Sequence, residues 1–350
     1  MRSRIPSLDG LRGIAILLVV ICHLSFGITA LPNHLNAFLS SLGGLGVRIF
    51  FVLSGFLITT ILIKEQQRGG IRLGRFYLKR TLRIFPAYYF MIFCVAVLWA
   101  IGSGLVESTK SDLIHALTYT INYHASGWTL GHAWSLSVEE QFYLLWPACL
   151  LFLNRRTAVK VAILVVILCP LVRYVYWVST ADVWTLYRFE SVADSLAVGC
   201  LLALRPLRRF PGIAVAIIVG SILCLNYLSM TRFVGFYLLL GITFCNFGIA
   251  VCIQWATTNQ AGRVSELLNS RALSYLGVIS YSVYLWQQVF LNPAGGKLSF
   301  KFPINLLLIA AVSLFSFYTI EQPALRFRQR LLKRRAPLID QRSVITKVAP

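Results

Sequence analysis

Stretches of about 20 predominantly apolar residues, the length a helix needs to cross the hydrocarbon core of a bilayer, recur along nearly the whole chain. They fall near 9–30, 43–63, 84–103, 137–153, 158–178, 190–204, 212–230, 233–256, 272–292 and 303–321. In hydrocarbon every backbone polar group has to be satisfied within its own segment, so such stretches read as helices. The expected fold class is therefore all-α integral membrane, with about ten transmembrane helices. A hydrophobic fraction of 57%, a charged fraction of 13% and a mean hydropathy of +0.73 lie outside the range of ordinary soluble domains. No long polar segment interrupts the pattern, which predicts one transmembrane domain over residues 1–325 and a short basic cytoplasmic tail over 326–350.

Ten spans place both termini on one side of the membrane, and the positive-inside rule identifies that side. Segments on the side of the termini hold 26 of the 33 Lys and Arg residues, while the other side has only Arg48, Lys110, Arg173, Arg188, Arg232, Lys297 and Lys301. Both termini are thus expected in the cytoplasm, with membrane lipids as partners. The net charge of +21 follows the inner membrane face and comes with no groove-reading motif, so no nucleic-acid partner is expected. The first apolar run is as long as a span, contains a histidine and lacks a small-residue cleavage site, so it reads as retained rather than as a signal peptide. All eight cysteines fall inside spans without CxxC spacing, which implies neither disulfides nor zinc. There is no Walker or dinucleotide fingerprint and no evident internal repeat.

Against this background the informative residues are those that lipid disfavours. In SLDGLRGIAILLVVICHLSF, residues 7–26, Arg12 and His23 are eleven positions apart, about three helical turns and roughly 16 Å in depth on one face. The plain structural reading is a snorkelling arginine and a histidine that bonds a neighbouring helix. GIRLGRFYLKRTLRIFPAYY, residues 70–89, sets Arg80 and Arg83 three apart on one helical face with Arg72, Arg75 and Lys79 nearby. Such a group suits phosphate oxygens, either of a nucleotide or coenzyme or of anionic lipid. GHAWSLSVEEQFYLLWP, residues 131–147, brings two adjacent carboxylates, Glu139 and Glu140, into the fourth span. Neighbours on a helix point about 100° apart, so only one is expected to face the bundle interior. His132 and Trp134 also suit a loop and an interfacial anchor. Further candidates are Arg48, Asp194, Tyr284 and Trp286, with Gln287 and Gln288 at the outer end of the ninth span; each is also compatible with packing. Gly46 and Gly55 are expected to let helices approach closely.

In their order these motifs resemble the acyltransferase family 3 membrane enzymes, which include O-antigen, exopolysaccharide and Nod-factor O-acetylases. The resemblance rests on SLDGLRGIAILLVVICH, GVRIFFVLSGFLI, FYLKRTLRIFPAYY, GHAWSLSVEEQFYLLWP, SLAVGCLLAL and ISYSVYLWQ and covers essentially the whole chain. It implies transfer of an acyl group, most often acetyl, from cytoplasmic acyl-CoA to a hydroxyl of a glycan or lipid-linked glycan acceptor at the outer face of a bacterial inner (plasma) membrane. Acyl-CoA would be a co-substrate, with no tightly bound cofactor. The family's arginine and histidine of the first span fall on Arg12 and His23, its arginine pair on Arg80 and Arg83, and its motif carboxylate on Glu139; Asp194 fits a looser acidic pattern. Relatives often have His at the position of Gln287 and an acidic residue at that of Arg48. Some carry an additional outer esterase-like domain, where this sequence runs into its basic segment.

The resemblance makes His23 and Glu139 the expected catalytic pair, His23 as the base that takes the acceptor proton and Glu139 as the group that orients its ring or stabilises its protonated form. An acyl-histidine intermediate is a chemical alternative. Arg12, Lys79, Arg80 and Arg83 are expected to hold the coenzyme phosphates, and Arg48, His132, Trp134, Asp194, Tyr284 and Trp286 to contribute to acceptor binding. A transporter or flippase of a lipid-linked glycan is the competing class, which would carry inverted repeats and broken helices in matching halves.

Overall fold

The computed structural model describes residues 6–28, 31–180, 182–229, 233–259, 261–293 and 300–334, with the side chains of 333 and 334 left aside. Residues 335–350 of the expected tail, and Arg2, Arg4, Arg232 and Lys297 of the charge count, lie outside the described residues. Within them the chain is helical, with no strand. The helices are α1 (Pro6–Ser25), α2 (Asn33–Gln66), α3 (Leu73–Ala100), α4 (Lys110–Leu117), α5 (Trp128–Gly131), α6 (Ala133–Phe152), α7 (Arg155–Ser179), α8 (Phe189–Leu204) and α9 (Gly212–Leu228). After these come α10 (Val234–Thr258), which contains a π-helical turn at Tyr237–Gly241, α11 (Arg263–Leu268) and α12 (Arg271–Phe290). Last, α13 (Ile304–Ser316) runs through a second π turn, Phe317–Glu321, into α14 (Gln322–Arg334).

Each of the ten apolar stretches overlaps a helix, but α2 and α3 begin ten and eleven residues before theirs and the last helix continues beyond 321. Six helices are long and apolar enough to cross a membrane: α1, α2, α3, α7, α10 and the one running from α13 into α14. By this measure the other four fall short. Helices α8 and α9 have 16 and 17 residues, and α6 and α12 are diluted by carboxylates, tyrosines, serines and glutamines. The chain is a multi-pass helical membrane protein. Helix α2, at 34 residues, is about 50 Å long, well beyond a hydrocarbon thickness of about 30 Å. It extends beyond the apolar stretch 43–63 at both ends, by ten residues before it and by Lys64–Gln66 after it.

Local chemistry sets several helix starts. Pro6 and Asp9 open α1, where a missing N–H is harmless and an acidic side chain suits the helix dipole. Asn154 caps α7 by accepting the N–H of Thr157 at 2.9 Å, and Thr109 and Asp112 form a reciprocal capping box on α4.

Helix α1 packs between α2 and α12, α2 packs on α8, and α8 on α7. The α2–α8 crossing is set by two glycines. A Cβ on Gly55 would lie 2.0 Å from the Leu196 carbonyl oxygen, and one on Gly199 2.1 Å from that of Val52. No other residue fits at either position, so the backbones touch, as expected of small residues at membrane helix interfaces.

Candidate active site

A cavity of ≈ 110 Å³ lies where α1, α2, α3, α6 and α12 converge. Arg12 comes from α1, Ser54 from α2, Arg80 and Arg83 from α3, and Ser135, Glu139, Glu140 and Tyr143 from α6. Ser280, Tyr281 and Tyr284 from α12 complete the polar lining. Both carboxylates reach this cavity, which corrects the expectation that only one of Glu139 and Glu140 faces inward. The cavity is lined from α2, α3 and α12 as well as α6, so side chains pointing 100° apart on α6 can both reach it.

Glu139 accepts hydrogen bonds from Ser54 Oγ at 2.6 Å and from the Tyr143 hydroxyl at 3.2 Å. The guanidinium of Arg80 stands over the Tyr143 ring, 5.0 Å from its centroid. Arg12 is paired with Asp9 at 3.2 Å, one turn earlier on α1.

Two larger basic bays adjoin this cavity on the side of Arg83. One, of ≈ 460 Å³, is lined by Arg68, Arg75, Lys79, Arg80, Arg83 and Arg328 and, among the described residues, by no carboxylate. The other, of ≈ 510 Å³, contains Arg12, Arg83, Arg326 and Arg328 together with Asp9 and Glu321. Arg83 borders all three spaces. Lys79 sits at the edge, paired with Glu65 at 3.1 Å. The helix α14 runs through the 325/326 boundary and folds back over α3, where Arg328 donates to the Lys79 carbonyl at 3.3 Å.

At the other end of the cavity a hydrogen-bonded series leads to the histidines. Ser135 and Tyr284 hydroxyls are 2.6 Å apart, and the Tyr284 hydroxyl lies 3.0 Å from the His132 carbonyl oxygen. His132 meets the Gln288 side chain through its backbone N–H and its Nδ1, each 2.8 Å from Oε1. Gln288 Nε2 is 3.3 Å from His23 Nε2, and His23 Nδ1 is 2.7 Å from Gln287 Oε1. The Trp128 ring meets His23 edge-on at 5.4 Å, and its indole N–H donates to the Gln288 carbonyl at 3.0 Å. The short helix α5 therefore fastens the end of α12 beside the first span.

The structure thus brings Arg12, Arg80, Arg83 and Glu139 to one cavity and joins Tyr284 and His132 to His23. It does not bring Glu139 to His23, whose polar neighbours are Gln287 and Gln288. Asp194 lies elsewhere, fully buried, with Arg173 as ion partner at 3.4 Å and Thr243 and Asn246 as donors at 2.7 and 3.2 Å. Arg48 forms its own cluster with Asn226 and the Tyr237 hydroxyl. Trp134 packs between Phe51 and Tyr187, and Trp286 against Phe90. Sequence reasoning missed Ser54, Ser135 and Arg328 and gave Gln288 no role of its own. Only the paired glutamines at the end of an apolar helix carried a signal.

A family model described as an acyltransferase domain matches residues 5–321. The chain belongs to this family, acyltransferase family 3. Among curated relatives, a putative peptidoglycan O-acetyltransferase, YrhL, of Bacillus subtilis is 28% identical over 91% of this chain and 54% of its own length. The peptidoglycan O-acetyltransferase OatA of Listeria monocytogenes is 30% identical over 81% of this chain and 49% of its own. The O-acetyltransferase OatA of Staphylococcus aureus is 29% identical over 91% and 57%, respectively. The chain spans about half the length of the curated relatives it matches. No solved structure matches the chain. The transporter alternative has no support in these matches.

Proposed function

We propose that the protein is a membrane O-acetyltransferase that moves an acetyl group from cytoplasmic acetyl-CoA to a hydroxyl of a cell-surface glycan at the outer face of the inner membrane. The observation that carries this reading is a polar cavity in an otherwise apolar bundle that shares Arg83 with the arginine-lined bays, is lined by Glu139 and Tyr284, and is joined from Tyr284 by hydrogen bonds through His132 and Gln288 to His23. Ten spans with both termini inside, the topology favoured by the distribution of Lys and Arg, would put the bays in the cytoplasm and His23 in the outer half of the membrane.

In this reading Arg80, Arg83 and Arg12, with Lys79 and Arg328 at the rim, bind the coenzyme phosphates through charge-assisted hydrogen bonds, and the coenzyme's arm runs through the cavity. His23 removes the proton of the acceptor hydroxyl, a role suited to an imidazole, whose ordinary pKa is close to neutrality. The oxygen attacks the thioester carbonyl, a C–O bond forms, the C–S bond breaks, and the departing thiolate recovers the proton. Glu139, remote from the imidazole, holds Tyr143 and faces the arginines, so its role is at the donor side of the cavity. Peptidoglycan, the polymer named for two of the relatives, is the first acceptor to test.

The test is release of CoA thiol by the purified protein in lipid, supplied with acetyl-CoA and glycan acceptors. Acceptor-dependent release that disappears in His23→Ala supports the reading. Failure of the protein to bind CoA at all overturns it.

A further inference from the structure

The hydrogen bonds around Gln288 determine which nitrogen of each imidazole carries the proton. The backbone N–H of His132 points at Oε1 of Gln288 at 2.8 Å, and a backbone N–H can only donate, so that atom is the amide oxygen. The His132 Nδ1 that shares this oxygen at 2.8 Å must then bear a proton, which leaves His132 Nε2 as the lone-pair nitrogen; it is buried without a partner. The other end of the Gln288 amide is an NH₂ group and can only donate. It faces His23 Nε2 at 3.3 Å, so that nitrogen must accept. Neutral His23 accordingly carries its proton on Nδ1, directed at the Gln287 Oε1 acceptor 2.7 Å away. Gln287 and Gln288 are 0% and 6% exposed, so water does not compete freely for these groups.

We infer that Gln288, anchored by His132, is a positioning residue that locks His23 in the Nδ1–H tautomer and so keeps Nε2 available as the proton acceptor. The inference rests on the reading of His23 as the base and goes beyond it by naming the group that sets the base's protonation geometry. At 3.3 Å the Gln288 contact is at the long end for a hydrogen bond, so an acceptor hydroxyl can displace it. Once His23 is protonated, its Nε2–H opposes the Gln288 N–H. That repulsion favours passing the proton on to the leaving thiolate. Gln287 secures the lock from the other side of the ring.

Gln288→Glu is the decisive variant. It keeps an oxygen for both His132 donors and replaces the N–H facing His23 with a second oxygen, which calls for a proton on Nε2. With only five histidines in the chain, nitrogen-15 labelling of histidine and NMR of the protein in lipid nanodiscs can follow each ring, with assignment by single substitution. The expected result is Nδ1–H for His23 and His132 in the wild type, and a protonated Nε2 on His23 alone in Gln288→Glu. Transfer should fall about a hundredfold or more, with little change in the acetyl-CoA KM, as for loss of general-base catalysis. Gln288→Met, uncharged and similar in size, should release the lock and give mixed tautomers at His23, which keeps the question answerable if the Glu variant folds poorly. An Nε2–H His23 in the wild type, or unchanged His23 resonances in both variants, overturns the inference. A changed tautomer with unchanged transfer confirms the lock and overturns the assignment of His23 as base.

Discussion

His23 on the first helix and Gln287 on the twelfth are 264 positions apart in sequence and meet at 2.7 Å, Nδ1 to Oε1. Removing that acceptor in Gln287→Leu leaves a buried ring N–H unpaired, which costs about 1–3 kcal/mol. Gln287→Glu keeps an acceptor in place. Thermal unfolding in lipid or detergent should rank wild type and Glu above Leu, and the transfer rate of the Leu variant should fall with its stability margin.

The bay that holds Arg83 and Arg328 should be read out through the donor. Arg83→Ala is expected to raise the acetyl-CoA KM about tenfold with a smaller change in kcat, because a charge-assisted contact to phosphate is worth roughly 1.5–3 kcal/mol. Arg328→Ala, at the rim of the bay, should show the same pattern more weakly. Initial rates over a range of acetyl-CoA concentrations decide this, and a pure kcat effect at Arg83 would contradict it.

Asp194 and Arg173 form an ion pair with side chains 0% and 1% exposed. Truncating one partner strands a buried charge, so Asp194→Ala should destabilise by about 3–5 kcal/mol. The double variant Asp194→Leu with Arg173→Met should recover much of that loss. Detergent-resistant folding by thermal shift checks both, and equal losses in the single and double variants would refute the ion-pair account.

Gly199→Leu should disrupt the α2–α8 crossing, since even a Cβ would stand 2.1 Å from the Val52 carbonyl oxygen. The expected cost is about 1–3 kcal/mol or more, seen as loss of folded yield. Gly74→Ala has nothing within 4 Å of the added carbon and serves as control, with a change within about 1 kcal/mol.

By itself the sequence determined the helical membrane class, since apolar length is a local property, and the placing of Arg12 and His23 on one helix, since residue spacing sets depth. It also marked Arg80, Arg83 and Glu139, whose charges are conspicuous in apolar surroundings. Only the tertiary structure decided what each of these touches. Glu139 meets Ser54 and Tyr143 rather than His23. Asp194 is neutralised by Arg173, and α14 returns to set Arg328 beside Lys79. The imidazole of the first span is served by two glutamines from the twelfth helix. Hydrogen-bond partners are chosen by how helices cross, and crossings such as the glycine contact of α2 with α8 depend on residues far apart in the chain, about which neither periodicity nor spacing carries information.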